Sequence, residues 1–103
     1  MTDRITQLKA LLKQEPDDPF CLYSIAMEYL KAGDRESAAA YFDRTIEVDP
    51  SYCYAYYHKA RAQKQGGDVE AARATLRIGL ERARTCGDQK AESELAAYLE
   101  TLS

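Results

Sequence analysis

The sequence repeats itself every 34 residues, and nothing else in it constrains the fold as strongly. Pro16 and Pro50 each follow an acidic residue, and Arg84 stands at the next place in that register. Gly33-Asp34 recurs as Gly67-Asp68, Tyr23 as Tyr57, Ala26 as Ala60, Ala38 as Ala72 and Glu47 as Glu81. A period of this length belongs to chains that stack small supersecondary units, each burying its apolar face only against its neighbours.

Each unit reads as two helices. Asp18 before Pro19 is a helix start, because Pro fits the first helical position and a carboxylate accepts the orphan N–H groups. Gly33 stops that helix and Asp34 caps the next; Ser51, Gly66-Gly67 and Asp68 do the same for the second unit. Leu22, Ile25, Ala26 and Tyr29 form a stripe at helical spacing, and Ala38, Ala39, Phe42 and Ile46 form another, with no β-type alternation. Before Pro16, the stripe Ile5, Leu8, Leu11 and Leu12 predicts a helix over 3–14, the second half of a preceding unit. Arg84 in place of Pro lets the fifth helix run to about Thr85, with Gly87 as its stop. Asp88 caps a last helix whose Ala91, Leu95, Tyr98, Leu99 and Leu102 share one face, closing the stack. The expected fold is all-α: about six helices in three antiparallel pairs, forming one domain. Its parts are a half-repeat over 3–14, units over 19–50 and 51–85, and a capping helix over 88–102.

Composition narrows the function. With 103 residues, 46% hydrophobic and 30% charged, the chain fits one globular domain and is too rich in apolar residues for disorder. No apolar run approaches the roughly 20 residues that span a bilayer, and the charged opening MTDRITQL lacks a signal-peptide core, so a cytoplasmic location is expected. Cys21, Cys53 and Cys86 are odd in number and widely spaced, which argues for reduced thiols rather than a disulfide framework or a zinc site. A net charge of −3 gives no general attraction for nucleic acid. The charge is uneven, however: residues 15–50 carry nine acids and three bases, residues 51–84 seven bases and three acids.

These residues resemble the tetratricopeptide repeat. The first unit has Leu22 where that motif has Trp, Ile25-Ala26 for Leu-Gly, then Tyr29, Ala38, Phe42 and Pro50 in their places. The second keeps Tyr56, Ala60, Ala72 and Leu76, and departs with Lys59, Gln63 and Arg84. The resemblance implies a right-handed stack whose first helices line a concave groove that binds extended peptides or partner helices. Members that bind chaperone tails clamp a terminal carboxylate with Lys and Asn on the groove faces; here the corresponding places hold Tyr23, Met27 and His58, so that clamp is missing.

Helical projection assigns the groove residues. Phe20, Tyr23, Met27 and Leu30 share one side of the first helix with Lys31 at its margin. On the next, Tyr54, Tyr57, His58, Arg61 and Gln65 face the same way with Lys64 at the edge, while Tyr56 and Ala60 face inward and Ala55, Ala62 and Gly66 allow a close approach. His58 and Cys53 are five apart and point to different faces, so neither a metal pair nor a Cys–His nucleophile is assembled. The expected function is therefore non-catalytic and cofactor-free. It is the binding of a protein or peptide with acidic and apolar residues, Phe20, Tyr23 and Met27 supplying apolar anchors and Arg61 and Lys64 engaging acids. The alternative is a homodimer through the same surface. Neither nucleic acid nor membrane is an expected partner.

Overall fold

The computed structural model describes residues 2–102, and for residues 2 and 3 the backbone alone. Within these residues six helices follow in chain order: α1 Thr2–Gln14, α2 Pro19–Lys31, α3 Arg35–Val48, α4 Cys53–Gln65, α5 Val69–Cys86 and α6 Gln89–Thr101. Among the described residues there is no strand, and no helix is long and apolar enough to cross a membrane.

The turns come from a repeated sequence device. Gly33, Gly67 and Gly87 take left-handed φ values of 84°, 89° and 73°, a region where a Cβ is strained. In the first turn Gly33 N–H donates to Leu30 O and Asp34 N–H to Tyr29 O, the double bond of a Schellman stop. The next residue then caps the following helix: the Asp34, Asp68 and Asp88 carboxylates accept from the N–H groups of Ser37, Ala71 and Ala91 at 3.0–3.1 Å. Asp18 caps α2 in the same way through Phe20 N–H at 3.0 Å, with Pro19 opening the helix.

Ser51 does not cap α4. Its N–H and hydroxyl both donate to Asp49 Oδ1, at 3.1 and 2.7 Å, so the serine belongs to the preceding turn. Tyr52 is the N-cap and makes no side-chain cap bond.

The buried side chains divide into three clusters along the stack. Leu8, Leu12, Cys21, Leu22 and Ile25 join α1 to α2. Ala26, Leu30, Ala38, Phe42, Ala55 and Ala62 join α2, α3 and α4. Tyr56, Ala60, Ala72, Leu76, Leu80, Ala83, Ala91, Leu95 and Leu102 lie in the cluster that joins α4, α5 and α6. Leu30 thus lies in the core rather than on the open face, because α2 turns that edge toward α3. Leu11 leaves its expected apolar stripe and is 58% exposed, whereas Thr45, one period later, is fully buried. Among the described residues no helix covers Leu11 in this way.

The departures of the second unit are accommodated by polar pairs. Lys59 reaches across to Asp43 of α3 at 2.6 Å, keeping its charge at the surface while its stem covers apolar atoms. Gln63 accepts a hydrogen bond from the Thr75 hydroxyl at 2.7 Å. The closest helix contact lies at Gly79 of α5, where an added Cβ would fall 2.7 Å from Tyr56 Cβ. Overpacking of this kind costs about 1–3 kcal/mol, against a helix-propensity gain of up to about 1 kcal/mol for alanine over glycine. Gly79→Ala should therefore lower unfolding stability by roughly 1–2 kcal/mol. A urea midpoint equal to or above wild type would show that α5 can retreat without loss.

Candidate functional site

The first helices of successive pairs, α2, α4 and α6, stand side by side, and their uncovered faces make one surface. Its floor is a line of rings passing from helix to helix. Tyr52 lies 5.0 Å from Tyr23, Tyr23 5.9 Å from His58, His58 5.1 Å from Tyr57, and Tyr57 5.0 Å from Tyr98 of α6. His58 also stacks on the buried Phe42 at 6.3 Å. These separations and tilts are those at which aromatic quadrupoles attract.

Of the residues assigned to the groove, Tyr23, Tyr57, His58 and Arg61 come together on this floor. Tyr23 is drawn half inward, and burial pushes its phenol above the usual range. Tyr54 is half-buried beside Glu94 of α6, whose carboxylate, as hydrogen-bond partner, pushes its phenol up to about 12. Met27 is half-buried on the open face of α2, and Lys64 and Gln65 stand exposed at the end of α4. Lys31 is exposed as well, 3.7 Å from Glu28. Phe20 is apart from the ring line: it is 64% exposed and borders a depression of about 200 Å³ shared with Leu8, Leu11 and Cys21, toward α1.

His58 is the chain's only histidine, and its protonation is dictated by its neighbours. Arg61 Nη1 donates to His58 Nδ1 at 3.1 Å. A guanidinium has no acceptor, so Nδ1 must be the unprotonated nitrogen and the ring proton sits on Nε2. Burial, and then the Arg61 charge, push the imidazole down from near 6.5 to about 4. The ring is therefore neutral through the physiological range.

Tyr98 and Glu94 were not among the expected groove residues. Pro19 to Cys53 is one period of 34, but Cys53 to Gln89 is 36, because α5, with 18 residues against 14 in α3, runs longer than the shorter turn after it takes back. Positions on α6 are thus out of phase with the repeat, and only the apolar stripe of α6 hinted that Tyr98 packs inward. A second arrangement also crosses the expected units. The Cys86 thiol at the end of α5 lies in hydrogen-bonding reach of Cys53, whose own thiol is pushed up to about 11, chiefly by burial. Cys53 Sγ donates to Ser51 O at 3.4 Å. Among the described residues no cluster of three His, Cys, Asp or Glu side chains could hold a metal.

Antiparallel helix pairs stacked in one direction, with the first helices lining a shared open face, define a helical-repeat protein. The tetratricopeptide repeat profile matches residues 23–85, more than half of the chain. A tetratricopeptide repeat-containing protein of Pseudomonas aeruginosa is 34% identical over 98 residues, covering 95% of this chain and 93% of its own. The solution structure of a tetratricopeptide repeat domain protein from Salinibacter ruber matches with a TM-score of 0.80 at 35% identity, over 85% of this chain and 89% of that one. The TPR2B domain of yeast Sti1, in its complex with pHsp70, matches in fold with a TM-score of 0.88 at 21% identity, over 95% of this chain and 78% of that one. The chain belongs to the tetratricopeptide repeat family.

The His58 environment has a measurable consequence. Its folded pKa lies below its unfolded one, so between about 6.5 and about 4 the unfolded chain binds a proton that the native chain does not. Stability should therefore fall as the pH drops through that window. The single His58 resonance should titrate near 4, and Arg61→Gln should raise that midpoint only part of the way, since burial remains. A wild-type midpoint near 6.5 would mean that the ring is solvated and the aromatic floor open.

Proposed function

We propose that this chain is a non-catalytic interaction module of the cytoplasm, an adaptor that holds an extended peptide or a partner helix along the face of α2, α4 and α6. The observation that carries this reading is the unbroken ring line from Tyr52 to Tyr98, which crosses all three helices and leaves side chains open above it. A ligand lying across the helices meets aromatic surface at every step. The residues of the line are half-buried, and partly open aromatic surface of this kind marks interaction sites.

In this reading Tyr23 and Met27 supply apolar contact at the α2 wall, Phe20 extends it at the α1 end, and Tyr54 and Tyr57 add ring contact with hydroxyl hydrogen bonds. Arg61 and Lys64 meet acidic groups, His58 adds a neutral polar edge, and Lys31 and Gln65 form the rim. The shared fold with a Sti1 domain that forms a complex with pHsp70 agrees with a ligand-holding role. The absence of Lys and Asn from the Tyr23, Met27 and His58 places separates the ligand from chaperone tails.

A photo-crosslinking amino acid in place of Met27 tests the reading. Adducts should form in the expressing cell, disappear when Tyr57→Ala is added, and be absent when the crosslinker replaces Arg77, exposed on α5. Adducts from Arg77 but none from Met27 would move the binding surface to the other side of the stack. An adduct of twice the chain's own mass would identify a second copy as the occupant.

A further inference from the structure

We infer that the occupant of this groove presents the side-chain carboxylate of an internal Asp or Glu, flanked by apolar residues, to Arg61; the inference rests on the groove reading above and names the chemistry of its ligand. The starting point is how the half-buried cations are satisfied. Among the described residues there are four: Lys9, Lys59, Arg61 and Arg73. Lys59 is held by Asp43 and Arg73 by Glu70, and Lys9 donates to the Tyr29 hydroxyl at 2.7 Å. Lys9 and Arg61 are thus the two held only by neutral groups, and of these Arg61, through one bond to His58 Nδ1, is the one on the shared face of α2, α4 and α6. No carboxylate among the described residues lies within ion-pair distance of it, the ion pairs of the chain being made elsewhere.

A guanidinium carries five N–H donors arranged to meet a carboxylate in bidentate fashion. One is committed to the imidazole, and this bond fixes the side chain's orientation. His58 stacks on Phe42 and abuts Tyr23 and Tyr57, so the nitrogen that holds Arg61 is itself held from several sides. The Arg61 charge also reaches the Tyr23 phenol on α2 and the Tyr98 phenol on α6, opposing the upward push of burial on each. Arg61, on α4, thus stands between α2 and α6 beside the line of half-buried rings. A charge-assisted hydrogen bond formed there is stronger than the same bond at an open surface.

The choice of an internal side chain over a chain terminus follows from the neighbours. Aromatic surface continues on both sides of Arg61, toward Tyr23 and Tyr52 in one direction and toward Tyr57 and Tyr98 in the other. A ligand chain ending at Arg61 would leave one of these sides uncovered. Glu94, the acid of α6 on this side, is the hydrogen-bond partner of Tyr54.

The test uses short random peptides displayed inside a carrier loop, so that neither end is free, selected in parallel on wild type and on Arg61→Gln. Wild-type selection should converge on one Asp or Glu flanked by apolar residues, and selection on Arg61→Gln should lose that preference. For a synthesised winner, replacing its acid by the amide should weaken binding to wild type roughly tenfold or more. The same replacement should change binding to Arg61→Gln less than about twofold. The His58 resonance verifies that each variant is folded. Selected peptides that need Tyr57 but carry no acid, or an equal loss on both proteins, would overturn the carboxylate inference and leave the groove reading standing. Selection that yields no peptides sensitive to Tyr57→Ala would overturn both.

Discussion

Every layer of this stack depends on two helix backbones lying closer than ordinary side chains permit. Ala26 and Ala38 in the first pair, and Ala60 and Ala72 in the second, are completely buried at matching places in the repeat. Gly79 brings α5 against Tyr56 at a distance that excludes even a methyl group. Dispersion contacts fall off steeply with separation, so these small residues let the larger ones, Phe42, Leu22, Leu76 and Leu95, reach full contact. The left-handed glycines and their aspartate caps fix where each helix stops. The small residues fix how near it comes to the next, and so where the open face lies.

Most of this architecture was legible in the residues, because its signals are local. A Gly-Asp pair specifies a stop and a cap by backbone conformation and one hydrogen bond, and its recurrence set the starts of α3, α5 and α6, as Asp18-Pro19 set that of α2; the cap expected for α4 did not form. The exception is instructive. Ser51 has the right chemistry for a cap, but Asp49, two residues earlier, is a stronger acceptor and holds it in the preceding turn. Leu11 was misplaced for the opposite reason: helical spacing reveals an apolar stripe but not whether another helix covers it.

The groove was legible only in part. Spacing along α2 and α4 placed Tyr23, Tyr57, His58 and Arg61 on one side, and their rings and charges do meet. What spacing could not supply is the third wall. The longer α5 and the shorter turn after it leave α6 two residues out of the repeat, so Tyr98 and Glu94 carry no periodic mark. Nor could it show that His58, polar on paper, is enclosed by rings from two other elements and stays uncharged. Its neutrality is a property of the assembled floor.

The division of the core into three clusters has a bearing on how the molecule comes apart. Each cluster is completed by helices adjacent in sequence, and α1 is attached to the rest chiefly through Leu8 and Leu12. Coupling along such a stack passes only from neighbour to neighbour, so its ends can open without the centre. A chain laid over the ring line would touch α2, α4 and α6 at once and tie together clusters that otherwise meet only at their edges. Loading the groove would then change the cooperativity of unfolding as well as its midpoint, turning a structure that frays from the ends into one that melts as a unit.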